Sequence, residues 1–117
     1  LSRSIQLSRM DEKRTMSMLH TVNKSPFQTG SLVSCLRHAQ KGDAILLMED
    51  GVYGALKGTT ASGDIWAKRV ELKFYVMSAD LAARGLAKAQ LIEGLNLIDA
   101  GGFVDLVVAH KASQAWL

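Results

Sequence analysis

Two rhythms of apolar and polar positions run along this chain, one with the period of a strand and one with the period of a helix. Leu19–Val22 is a short strand-like run closed by the turn formers Asn23, Ser25 and Pro26. Leu32, Cys35, Leu36 and Ala39 then recur at i, i+3, i+4 and i+7, which predicts a helix over Thr29–Ala39 with Arg37 off its apolar stripe. Gly42 and Asp43 break the chain before Ala44–Met48, a continuous apolar run of the kind found in strands buried on both faces. Val52–Leu56 reads as a short helix and Gly58–Gly63 as a Gly/Thr/Ser loop. Leu72–Met77 carries the aromatic and branched bulk that favours a strand. Ser78 is placed to cap a helix over Ala79–Arg84, with Gly85 as its stop. Leu95–Ile98 predicts a fourth strand. Asp99 and the Gly101-Gly102 pair then lead into a helix over Phe103–Ala109, with His110 and Lys111 at its negative end. The remainder, ending in Gln114-Ala115-Trp116-Leu117, reads as a polar tail.

Strand and helix alternate four times. That order predicts an α/β fold: a flavodoxin-like three-layer α/β/α arrangement around a small, mostly parallel sheet. The domain spans residues 18–117. Residues 1–17, LSRSIQLSRMDEKRTMS, lack apolar periodicity and are expected to be a disordered leader, an expression remnant or an over-extended gene start.

Composition narrows the class. The 117 residues suit one domain, and 48% apolar with 21% charged residues is ordinary globular usage. One cysteine precludes an internal disulfide and fits a reducing compartment. The longest apolar runs, about five residues, are far short of a membrane span. The net charge is +3, but residues 1–17 hold four cations against two carboxylates, so the domain itself is nearly neutral with mixed signs. Phosphate-backbone binding needs clustered Lys and Arg. Neither nucleic acid nor a membrane is therefore an expected direct partner.

Ligands of open α/β sheets meet the carboxyl ends of the strands, which directs attention to Asn23–Gln28, Glu49–Tyr53, Ser78–Asp80 and Asp99–Gly102. No GxxxxGK[ST] or GxGxxG is present for phosphates. His20, His38 and His110 lack metal-ligand spacing, so no metal and no organic cofactor is expected. A phosphatase-type cysteine needs an arginine six positions on, where this chain has Lys41. In Glu49-Asp50-Gly51-Val52-Tyr53, Asp50 and Gly51 form either a strand-to-helix turn, with Asp50 capping and Gly51 strained, or a ligand-contacting rim with Tyr53. Cys35 is either a small apolar residue of the helix stripe or a sulfur-transferring thiol, which needs thiolate character and access. Trp66 and Trp116 are too few and too far apart for a base-stacking platform, but Trp116 in a polar tail fits an interface anchor.

An ordered set of segments resembles the DsrH/TusB family of sulfur-relay subunits. It opens with Met18-Leu19-His20-Thr21-Val22-Asn23-Lys24-Ser25-Pro26-Phe27 and continues through Leu46-Leu47-Met48-Glu49-Asp50-Gly51-Val52-Tyr53. It then runs through Tyr75-Val76, Asp80-Leu81-Ala82-Ala83-Arg84-Gly85-Leu86 and Phe103-Val104-Asp105-Leu106 to Gln114-Ala115-Trp116. No single motif is decisive; their order over residues 18–117 is.

The resemblance implies a flavodoxin-like subunit of a cytoplasmic heterohexamer with two homologous partners of the DsrE/DsrF or TusD/TusC kind. Such complexes pass persulfide sulfur onward, with a small sulfur-carrier protein as a further partner. They serve either 2-thiolation of the tRNA wobble uridine or oxidation of stored sulfur. The principal catalytic cysteine is implied to lie on a partner subunit. DsrH-type subunits carry a cysteine in the first helix, matched here by Ser34-Cys35-Leu36, which places the chain nearer that type and makes Cys35 a candidate sulfur acceptor and donor. The other role is an assembly subunit in which Cys35 is only packed.

Overall fold

The computed structural model describes residues 17–117. Five strands, β1 (Met18–Val22), β2 (Ala44–Leu47), β3 (Lys73–Met77), β4 (Asn96–Ile98) and β5 (Ala112–Trp116), form one sheet in the order β4-β3-β2-β1-β5. Every pairing is parallel. The helices are α1 (Ser31–His38), α2 (Thr60–Lys68), α3 (Ser78–Ala83) and α4 (Ala100–Ala109), joined by 3-10 turns at Glu49–Ala55 and Lys88–Gln90. The chain steps outward from β1 to β4, then returns past the whole sheet to put β5 beside β1. The α/β expectation holds, with three layers that are unevenly filled.

The period of two in the strands divides the core. On one face Val22, Ile45, Leu47, Phe74 and Val76 meet Leu32, Cys35 and Leu36 of α1, Val52 and Ala55 of the 3-10 turn, and Ala61 and Ile65 of α2. On the other, Leu19, Ala44 and Leu46 meet Leu106 of α4, with Tyr75, Met77, Ile98 and Phe103 only half-buried around them. Ile45, Leu46 and Leu47 are wholly enclosed, as a central strand between two layers must be.

Four expectations need correction. The segment expected to be a loop at Gly58–Gly63 is mostly the first turn of α2, whose start is fixed by Thr59 accepting the Ser62 N–H on its hydroxyl. With only Ala61 and Ile65 buried, α2 lacks the apolar stripe that would have announced it. The polar tail is strand β5, held by its backbone against β1 in the register Met18↔Ala112 to Val22↔Trp116. It is an edge strand whose side chains are exposed but for a half-buried Trp116, so it shows no alternation. Ser78 does not cap α3; its hydroxyl donates to the Ile98 carbonyl at 3.0 Å, tying α3 to β4. The short helix expected at Val52–Leu56 begins earlier, at Glu49, and is 3-10. Gly85 does end α3, with a positive φ of 67°. The expected leader lies outside the described residues except for Ser17, which is buried and accepts the Lys111 N–H on its carbonyl.

Candidate functional site

Two places hold the residues singled out from the sequence, and they differ in kind. The first is the rim at the carboxyl end of β2. Glu49 leaves the strand with φ of 49°, a left-handed conformation uncommon for a residue with a side chain. Its N–H donates to Asp80 Oδ2 at 2.8 Å. Asp50 does not cap the turn. Its Oδ1 accepts from Arg84 Nε at 3.0 Å and Nη2 at 2.9 Å, and Arg84 Nη1 also reaches the Asp80 carbonyl. Gly51 has no left-handed strain. It is required because any Cβ there would drive into the Val22 carbonyl at the end of β1. Tyr53 lies half-buried on the same turn. The rim is thus a charged, exposed belt over a tightly closed backbone, and among the described buried side chains Asn23 Oδ1, beside it at the end of β1, lacks a hydrogen-bond partner.

The second place is the interior beneath α1. Cys35 is fully buried in the main core. Burial, reinforced by the negative charge of Asp43, pushes its thiol up to about 12. It is held here as a neutral, enclosed thiol. Arg37 is exposed, and His38, also exposed, bonds the Ser34 carbonyl through Nδ1.

Trp116 belongs to this second place and not to the rim. Its indole Nε1 donates to His20 Nδ1 at 3.1 Å, and its ring packs 5.3 Å from that of His38. Indole is a donor only, so His20 Nδ1 is an acceptor and Nε2 carries the proton that it gives to Asp43 Oδ2 at 2.9 Å. Asp43 also accepts the Met18 N–H and the Gln40 N–H, both at 3.0 Å. Burial raises the Asp43 carboxyl, but these backbone donors and His20 outweigh it and hold it below its usual value. The chain Asp43–His20–Trp116 therefore stitches β2, β1 and β5 together across the sheet. Sequence reasoning missed it: the partners are 23 and 96 residues apart. Only the strand register brings them together.

No group of three or more His, Cys, Asp or Glu among the described residues is arranged to hold a metal ion. No helix among them is long and apolar enough to cross a membrane.

The architecture is that of a small α/β protein with a parallel five-stranded sheet, shared with solved structures of low sequence similarity. The ychN protein of Escherichia coli superposes with a TM-score of 0.74 at 15% identity, over 85% of this chain and 97% of that one. A protein of unknown function, MTH1491, from Methanobacterium thermoautotrophicum superposes with a TM-score of 0.65 at 18% identity, over 85% and 96%. These similarities establish the fold alone. Residues 24–113 match the family model described as DsrH like protein, and the chain belongs to that family. It is 37% identical over 99 residues to Protein TusB of Escherichia coli strain K12, covering 85% of this chain and all of that one. Protein TusB of Pectobacterium parmentieri is 39% identical over the same share of each.

Proposed function

We propose that this chain is a subunit of a persulfide-passing sulfur-relay complex of the kind that serves 2-thiolation of the tRNA wobble uridine, and that its contribution is assembly, with Cys35 held in the core. The observation that carries the relay reading is the correspondence with relatives called TusB along their entire length. The burial of Cys35 supports the assembly role. Sulfane sulfur moves when a thiolate attacks a persulfide, and a neutral enclosed thiol offers neither charge nor access. In this reading the reacting cysteine is on one of two homologous partner subunits, and a small carrier protein takes the sulfur away.

Exposed apolar residues on α4 support an assembled state. Val104, Val107 and Val108 are 59%, 44% and 47% exposed, although α4 has Asp105 as its sole charged residue. Such a helix face suits burial against another subunit. The charged rim of Asp50, Gly51 and Tyr53 is a candidate edge of that contact, and Trp116 acts indirectly by fixing the edge strand. The test is co-expression with two homologous subunits of the DsrE/DsrF or TusD/TusC kind, followed by gel filtration. One complex containing all three chains is expected. Recovery of this chain only as free protein overturns the relay reading.

A further inference from the structure

A cavity of about 480 Å³ opens at the amino ends of β3 and β4, at the opposite end of the sheet from the charged rim. It lies between the last turn of α2 and the segment leading into β4. Ile65, Leu72, Phe74 and Ile92 form a buried apolar floor, continued by the half-buried Leu95. Trp66, 46% exposed, forms one wall. A second hollow of about 280 Å³, with Lys57 on its margin, shares Trp66, Ile92 and Glu93 with the first. The volume lies within the range of small-ligand sites, and the floor has their apolar character.

The charged groups at the mouth choose the ligand. Arg69 Nη1 donates to the Trp66 carbonyl at 2.7 Å, and its guanidinium carbon lies 3.9 Å from the centroid of the Trp66 ring. Stacking and hydrogen bonding hold the guanidinium in place before any ligand arrives, so little freedom is lost when its remaining N–H groups engage one. Glu93 lines the same apolar, aromatic-walled hollow and opposes an anion there, so the guanidinium held over Trp66 is the group that favours one. We infer that this cavity binds a small organic monoanion: a flat apolar body against Trp66 and Phe74, with a carboxylate or sulfonate at Arg69. The relay reading is not needed for this site, and failure of either leaves the other standing.

The test uses the whole chain and two dyes of similar shape, anilinonaphthalene sulfonate and the uncharged phenylnaphthylamine, with binding followed by fluorescence and the site by amide chemical shifts. One sulfonate is expected per chain, with shifts confined to residues 65–74 and 92–96. It should bind about tenfold tighter than the neutral dye, and Arg69→Gln should erase that preference. Glu93→Gln should strengthen sulfonate binding about twofold or more, an effect that misfolding cannot imitate. Equal affinity for the two dyes overturns the inference, as do shifts centred on α4, sulfonate binding unchanged in Arg69→Gln, or no strengthening in Glu93→Gln.

Discussion

The two faces of the sheet are built to different standards. The face carrying Cys35 is roofed by α1, α2 and the 3-10 turn, and its core residues are almost without exposure. Among the described residues, α4 covers the opposite face, around the buried Leu19, Ala44, Leu46 and Leu106, and it turns Val104, Val107 and Val108 to solvent. The Cys35 thiol is enclosed within the first face. The exposed valines of α4, unlike the buried Leu19, Leu46 and Leu106 beneath them, contribute little to folding.

The largest effects should come from disturbing the closed face. Gly51→Val places side-chain atoms where the Val22 carbonyl stands, and Leu47→Ala leaves a cavity beneath the roof. The Leu47 change should cost about 2–5 kcal/mol in denaturant unfolding. The Gly51 change should cost at least as much, because backbone rather than a flexible side chain must yield. Next comes Cys35→Ser, which buries a hydroxyl among apolar neighbours and should cost about 1–3 kcal/mol. A Cys35→Ser protein as stable as the wild type would break the contrast between the faces.

The Asp43 network gives a smaller, pH-dependent effect. Because the folded carboxyl sits below its usual value of 3.8, its contribution is complete above that value and disappears as the pH falls through the folded one. Asp43→Asn should therefore flatten the acid limb of the stability curve below about pH 4. An unchanged acid limb would remove Asp43 from the account. Smallest for the isolated chain is Val104→Ser with Val108→Ser on α4, expected to shift stability by no more than about 0.5 kcal/mol each. The same pair should nonetheless reduce recovery of the three-chain complex, which sharpens the distinction between folding and assembly.

The alternation of strands and helices was legible because β1, β2 and β3 are rich in enclosed apolar residues, and the same residues announce the layered fold. The elements that leave no such signature lie where burial is slight. Edge strand β5 is held by backbone pairing, and α2 by a threonine cap and two buried side chains; neither leaves a strong periodic trace. Asp50 and Gly51 stood out as a turn, but their reasons differ from the expected ones: Asp50 binds Arg84, and Gly51 makes room for a carbonyl. Strain falls on Glu49 instead, which no local pattern marks. Cys35 showed both its apolar stripe and its reactive atom; its complete burial is a property of the assembled core, which no local pattern carries.

The most direct measurement is the intact mass of each subunit after the co-purified complex meets a persulfide donor. A reductant-sensitive gain of about 32 Da is expected on a partner subunit and none on this chain. Such a gain on this chain, absent in a complex carrying Cys35→Ser, would make Cys35 a station of the relay and contradict the account.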